Sequence, residues 1–532
     1  MICAAHVVRR TKLREKDWVL RGTKDFAVRT SLLTLLALTA LALAGGSTAA
    51  PTPTLGPVGF LVGATEDEVQ GLDDGGAAIY TQMATHGLGA IRMSVDYEPA
   101  QATTVQQEAQ LARAIGAAHD HGIRVILSIQ PGHNTDVTSD ANGVRRFAAY
   151  AALVAKAFPS VTDFVIGNEP NLGRFWFPTY KPNGSIAAGA SYEAALAASY
   201  DAMKAVNPNI DVIGLAISPR GDDRPGSLRN TVSPVRFIKA VGDAYRASKR
   251  KKPLMDNVAL HPYPNVNTDP PGKGAPWPNV SVANLDRAEQ AFWDAFNGTG
   301  QPTFAESGVQ RATAATAAPV RWILDEAGWQ TNTQGLAGYF GTENTPTISE
   351  ATQALYYKQV IARYACDGHV AALLFFHWID EADRDRLQSG LARATGTLKP
   401  AASAVRDAVA AGCQGGAVVW RHTTKVDGAS STWKPQNGNL FMVKAFEDAK
   451  FVATATPTKT AVAAAKRHGK KLKKLTIKGV VKAYSSTGVR LVGIKYANSR
   501  SYTFSVKLSA SLNPARVSVL KHNKLIPPDR EI

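Results

Sequence analysis

Two glutamates end apolar runs in a way that invites chemistry. Glu169 follows Phe164, Val165, Ile166, Gly167 and Asn168 and precedes Pro170, while Glu326 closes the run Trp322, Ile323, Leu324, Asp325 and leads into Ala327, Gly328 and Trp329. A lone carboxyl group at such a tip can cap a loop or pair with a cation. Two together can divide a reaction, one protonating a leaving oxygen while the other attacks the carbon that oxygen leaves. In glycosidic bond cleavage with retention the two carboxyls stand roughly 5–5.5 Å apart. Residues so distant in sequence reach that spacing only from strand ends facing one another across a shared mouth.

The rest of the chain supplies the elements for such a mouth. Short apolar runs at 58–63, 90–95, 124–129, 163–168, 211–217, 257–261, 321–326 and 372–378 alternate with helix-period segments, among them 104–122 and 192–209. The second of these stops where Asn207-Pro208 disfavours further helix. Eight strands alternating with helices predict an α/β fold, a (β/α)8 TIM barrel over residues 50–415. A doubly wound open sheet would want a glycine-rich phosphate loop after its first strand, and none is present. Barrel active sites sit at the C-terminal strand ends, which here carry Arg92, Asn168, Glu169, His261, Tyr263, Glu326, Trp329, His377 and Trp378. Carboxylates and amides among aromatic rings suit a sugar, whose faces stack on rings and whose hydroxyls take hydrogen bonds.

Taken as an ordered set, Asn168-Glu169-Pro170 after the fourth strand, His261-Pro262-Tyr263 after the sixth and Glu326 in "ILDEAGWQT" after the seventh resemble clan A retaining glycoside hydrolases. That group includes the cellulase-like family five and the xylosidase-like family thirty-nine, and the resemblance covers about residues 58–410. It implies Glu169 as acid/base and Glu326 as nucleophile, with no metal and no organic cofactor. It implies Asn168 on the sugar 2-hydroxyl and Arg92 holding the nucleophile ionised. It further implies His261 and Tyr263 orienting the nucleophile, and Trp378 as the floor of the sugar subsite. Trp329 joins these as a supporting tip residue, and Trp176, in the aromatic loop with Phe175, Phe177 and Tyr180, as a wall on the leaving-group side.

Each residue also has a plainer reading. Glu169 would cap its loop or pair with Arg174. Glu326 would be an ion-pair partner, leaving Asp325 as the functional acid, although strand alternation turns Asp325 away from Glu326 toward the helices. Arg92 would be a buried salt-bridge partner, His261-Pro262-Tyr263 a rigid turn, and Trp378 and the loop aromatics ordinary packing. The His119-Asp120-His121 triplet lies at a helix end before the third strand, on the far side of the barrel from the mouth, and reads as a solvated terminus.

Charge and punctuation bound what surrounds the barrel. Lys plus Arg minus Asp plus Glu is +5 over residues 1–50, −5 over 51–415 and +17 over 416–532, so the overall +17 belongs to the two ends. A mildly acidic main domain gives no reason to expect nucleic acid as a partner. Arg29, the apolar stretch Leu32–Ala44 and small residues at Ser47 and Ala49 have the layout of a secretory signal peptide within 1–49. That stretch is shorter than the ~20 residues that span a bilayer, so no stable transmembrane anchor is expected and the product is read as secreted. Of three cysteines, Cys3 lies in the leader, while Cys366 and Cys413 each end a helical segment and suit one disulfide in an exported chain. Beyond the barrel, 416–469 reads as strand-rich material and a linker, and 470–532 as a basic immunoglobulin-like β-sandwich. The lysines there make a solvated face or hold an anionic cell-envelope polymer. No Gly-x-Ser-x-Gly, His-Glu-x-x-His or Walker sequence occurs, which leaves esterase, zinc protease and NTPase chemistry without their residues. Against a hydrolase acting on a poly- or oligosaccharide stands a non-catalytic carbohydrate-binding or adhesion protein on the same barrel.

Overall fold

The computed structural model describes residues 59–305 and 318–414. Beyond them it describes residue 418, segments 430–433, 441–444 and 450–469, residue 471, and segments 473–480, 489–490, 502–508, 516–521 and 524–525. The leader lies outside the described residues. All eight expected strands form: β1 (Leu61–Thr65), β2 (Ala90–Tyr97), β3 (Arg124–Pro131), β4 (Asp163–Ile166), β5 (Asp211–Ile217), β6 (Asn257–Leu260), β7 (Trp322–Ala327) and β8 (Val370–Phe376). They pair in parallel and in chain order, and β8 returns to β1 with Leu61 opposite Ala372, closing a barrel. Helices α1 (Ala77–Thr85), α2 (Glu108–Asp120), α3 (Gly143–Ala157), α4 (Ala188–Val206), α5 (Pro234–Ser248), α6 (Leu285–Phe296), α7 (Glu350–Tyr364) and α8 (Pro400–Ala411) supply the connections. The expected (β/α)8 barrel is therefore present.

Strand alternation divides the apolar residues into two sets. Ile126, Val165, Ile213, Ala259, Ile323 and Leu374 fill the barrel interior, whereas neighbours such as Leu127, Phe164, Val212 and Leu324 belong to the larger layer under the helices. Helix starts follow local chemistry: Pro234 and Pro400 open α5 and α8 where a missing N–H leaves no bond unmade, and the Ser349 hydroxyl accepts from the Thr352 amide at the start of α7. Cys366 and Cys413, just beyond α7 and α8, are joined with Cα atoms 4.8 Å apart. A bridge closing 47 residues is worth roughly 2–4 kcal/mol. Among the described residues, no helix is long and apolar enough to cross a membrane.

The C-terminal region forms further strands. β9 (Ser430–Trp433), β10 (Phe441–Lys444), β11 (Lys450–Pro457), β12 (Leu475–Val480), β13 (Val489–Arg490), β14 (Tyr502–Leu508), β15 (Arg516–Lys521) and β16 (Lys524–Leu525) make two antiparallel sheets, ordered β12-β11-β14-β9 and β13-β10-β15-β16. Strands of 416–469 thus share sheets with strands of 470–532, and a boundary at 470 would cut both. The stretch read as strand-rich material and a linker holds strand β11 and helix α9 (Lys459–Arg467), whose Thr458 hydroxyl accepts from the Ala461 amide. Period-two "KFVATATP" is strand sequence, whereas the helix that Thr458 caps was disguised by the surrounding proline and lysines.

Candidate active site

Glu169 is delivered by an unusual turn. After β4, Gly167 adopts φ 83° and Glu169 itself φ 40°, a left-handed conformation that a side chain rarely takes. Two backbone bonds hold it: the Glu169 amide donates to the Ala216 carbonyl at 2.8 Å, and the Leu172 amide donates to the Glu169 carbonyl at 2.9 Å. Ala216 is available because β5 is irregular between Gly214 and Ile217, with Leu215 and Ala216 also left-handed. Strain of this kind costs about 1–3 kcal/mol per residue and persists where the surroundings over-determine it. The turn aims the Glu169 carboxyl at His261, whose Nδ1 lies 3.0 Å from Oε1. Its direct partner is this histidine and not Arg174, which lies exposed over the Phe175 ring at 4.2 Å.

Glu326 arrives from the opposite side of the mouth. Arg92 Nη1 donates to its Oε1 at 2.8 Å and the Tyr263 hydroxyl donates to its Oε2 at 3.1 Å. The same Oε2 lies 3.3 Å from His261 Nδ1. One ring nitrogen therefore faces both glutamates, which bounds the separation of those two oxygens at about 6 Å and admits the spacing of a retaining pair. Arg92 is held from other sides as well: Nη2 donates to Ser128 Oγ at 2.9 Å and to Asn168 Oδ1 at 3.0 Å, and Nε lies 3.2 Å from Asp325 Oδ2 in an ion pair. With Oδ1 turned to Arg92, Asn168 keeps its NH₂ group free to donate into the mouth.

The surroundings set the proton affinities. Burial works against the Arg92 charge, but Asp325 and Glu326 outweigh it and hold the guanidinium more firmly protonated than usual. His261 is likewise opposed by burial and raised to about 10 by the charges of Glu326 and Asp325, the latter 3.4 Å from Nε2, with the hydrogen bond that Nδ1 donates to Glu169 adding to them. Burial pushes Glu169 up, yet the hydrogen bond and charge of His261, followed by Arg174, bring it below the usual carboxylate range. Burial and the two glutamate charges keep the Tyr263 hydroxyl protonated well beyond its ordinary range.

Arg92, Asn168, Glu169, His261, Tyr263 and Glu326 are thus brought together, but the three tryptophans are not part of that group. Trp176 is 1% exposed, donates to Ser191 Oγ at 2.9 Å and packs edge-on to Tyr192. Trp329 is fully buried, donates to the Asp269 carbonyl at 2.8 Å and packs on Tyr356 and Tyr357. Trp378 is fully buried beside His86. None presents a face to a sugar, which corrects the subsite roles expected for them. The strand-eight aromatic nearest the site is Phe376, half-buried, its ring 6.4 Å from and nearly perpendicular to that of Tyr263.

Asp325 is the second correction. Alternation turned it toward the helices, yet it shares the interior face with Ile323, completely buried, 3.2 Å from Arg92 Nε and 3.4 Å from His261 Nε2. The register of β7 against β8 shifts between Leu324 and Ala327. That irregularity lets Glu326 reach the same two cations as Asp325. Ser128 was also missed, although a serine inside the apolar run of β3 is the visible trace of a polar partner in the barrel. At the other end of the barrel, the Arg124–Asp163 pair at 2.6 Å and Glu289 with His369 Nδ1 at 3.0 Å are buried ion pairs. Residues at that face of a barrel serve stability.

No family model matches the chain, and no curated protein matches it. Solved structures do. A family 39 glycoside hydrolase from Bacteroides cellulosilyticus is 15% identical, with a TM-score of 0.46 over 84% of this chain and 80% of that one. A glucosidase from Croceicoccus marinus is 10% identical, TM-score 0.45, over 85% and 96%. A monomeric beta-xylosidase from Caulobacter crescentus is 12% identical, TM-score 0.41, over 85% and 96%. Neighbours from families 39 and 5 among the solved structures are clan A-type glycoside hydrolases.

Proposed function

We propose that this chain is a retaining glycoside hydrolase that cleaves a poly- or oligosaccharide through a covalent glycosyl-enzyme intermediate. One observation carries the reading: Glu169 and Glu326, from strands on opposite sides of the barrel mouth, face the same His261 nitrogen at 3.0 and 3.3 Å. Glu326, with both oxygens accepting hydrogen bonds from Arg92 and Tyr263, is the nucleophile. Glu169 is the proton donor in the first step and the base that activates water in the second. Asn168 donates to the sugar hydroxyl next to the scissile bond, and Phe376 takes over the floor of the subsite. The chemistry draws on these side chains alone. Following an aryl glycoside hydrolysis by proton NMR tests the mechanism. The first-formed free sugar is expected to have the anomeric configuration of the substrate, and an inverted first product would end the double-displacement reading.

The leader and the disulfide support export, and the lysine-rich C-terminal region, with its two sheets as a sandwich, supports binding to an anionic cell-envelope polymer. Cell fractionation reads both. The full chain should be found in the wall fraction, while a chain ending at residue 414 should appear in the medium with small-substrate hydrolysis intact. Retention of both forms inside the cell, or equal wall binding by both, would refute this part.

A further inference from the structure

His261 has a carboxylate at each ring nitrogen, with Glu169 and Glu326 at Nδ1 and Asp325 at Nε2. A neutral imidazole has one N–H and one lone pair, so one carboxylate would always face a lone pair. Only the doubly protonated ring suits all three. Asp325 is fully buried, and the ring has no exposed surface, so water does not stand in for either partner. The third carboxylate is therefore more than a counter-ion for Arg92.

We propose that Glu169 and His261 act as one proton-donating unit, with Asp325 as the positioning residue that keeps Nε2 protonated and so makes the Nδ1 proton the mobile one. The inference rests on the hydrolase reading above and assigns the resting place of its proton. In the free chain the proton sits on Nδ1 and Glu169 is a carboxylate. When a glycoside binds, the proton crosses to the Glu169 carboxyl, whose terminal torsion is broad and roughly two-fold, and passes from there to the leaving oxygen. The glycosidic C–O electron pair stays with that oxygen while a lone pair of Glu326 makes the new bond to carbon. His261 is left neutral, its Nε2–H toward Asp325. In the second step Glu169 takes a proton from water as the water oxygen replaces Glu326 on carbon, and the proton returns to Nδ1. Attack and proton release are coupled, because bonding to carbon neutralises Glu326, whose Oε2 lies 3.3 Å from Nδ1, at the moment the leaving group needs its proton.

The charged and titratable groups facing this ring are Glu169, Asp325 and Glu326, with Arg92 and Tyr263 behind them, Arg174 acting through Glu169, and Tyr192 near Asp325. Replacing Asp325 by Asn keeps shape and removes one charge that holds the proton. Its loss lowers the proton affinity of the unit, and the first step needs the protonated form. For a phenyl glycoside the basic limb of kcat/KM should therefore move down by about one pH unit in Asp325→Asn, a tenfold loss at a fixed alkaline pH. The 2,4-dinitrophenyl glycoside of the same sugar, which leaves without a proton, should show no such shift. A basic limb at the wild-type pH for the phenyl substrate would overturn the proposal. A second measurement needs neither substrate nor variant. In the wild-type chain with nitrogen-15 histidine, His261 should give two protonated ring nitrogens at pH 8. A neutral His261 at pH 7 would overturn the proposal, whatever the catalytic outcome. Failure of the hydrolase reading itself would show separately, as no hydrolysis of either aryl glycoside while His261 still titrates as described.

Discussion

Glu326→Ala is expected to lower aryl glycoside turnover by roughly 10⁴–10⁶-fold, the range typical of losing a nucleophile, and sodium azide is expected to restore product formation as the glycosyl azide of inverted configuration. The geometry explains both halves. Truncation removes the attacking oxygen and leaves a space lined by Arg92 Nη1 and the Tyr263 hydroxyl, two donors that lose their carboxylate acceptor. A small anion can enter that space, take the same hydrogen bonds and attack the carbon from the same side. One displacement without a second inverts the centre. The scaffold should survive the change, because Arg92 keeps Asp325, Ser128 and Asn168 as partners. If Glu326 were a structural counter-ion alone, the folded variant would form no azide product, and that result would remove it from the reaction.

How much of this was legible follows from which interactions are local. Each strand announced itself as an apolar run between breakers, since burial on two faces is a property of the segment. The two glutamates were legible for the same reason, as polar endings to runs that otherwise have no use for charge. Side-chain direction beyond a strand end was not. Trp329 and Trp378 each sit two residues past the end of their strand, where backbone turns and neighbouring loops decide the outcome: Trp329 is drawn under the loop carrying Asp269, and Trp378 packs beside His86. Asp325 illustrates the same limit inside a strand. A period-two rule holds only while the register does, and β7 loses register against β8 between Leu324 and Ala327. The bend that places Glu169 depends on the Ala216 carbonyl, in the irregular part of β5, and the Asn171 side-chain amide that secures the same loop donates to the Ser218 carbonyl, 47 residues away in sequence. No local pattern encodes such a contact.

Glu169→Gln should separate substrates by their leaving groups. Glutamine keeps the size of the side chain and its reach to His261 Nδ1, so the turn and the site should remain folded, but it cannot give up a proton as an acid. Hydrolysis of a phenyl glycoside, whose leaving phenoxide needs protonation, should fall by roughly 10²–10⁴-fold, the usual contribution of a positioned general acid. The 2,4-dinitrophenyl glycoside departs unaided, so its first step should run near the wild-type rate. Water activation in the second step then lacks its base, and stopped-flow traces should show a burst of dinitrophenolate followed by a slow steady state. The burst tells Glu169 apart from a residue that only shapes the mouth, since a misshapen mouth slows both leaving groups alike. It also ranks the residues of the relay. Asp325→Asn moves the pH at which the proton is available, whereas Glu169→Gln removes the last atom from which it can be delivered. Equal loss on the two substrates, with no burst, would return Glu169 to a loop residue that happens to touch His261.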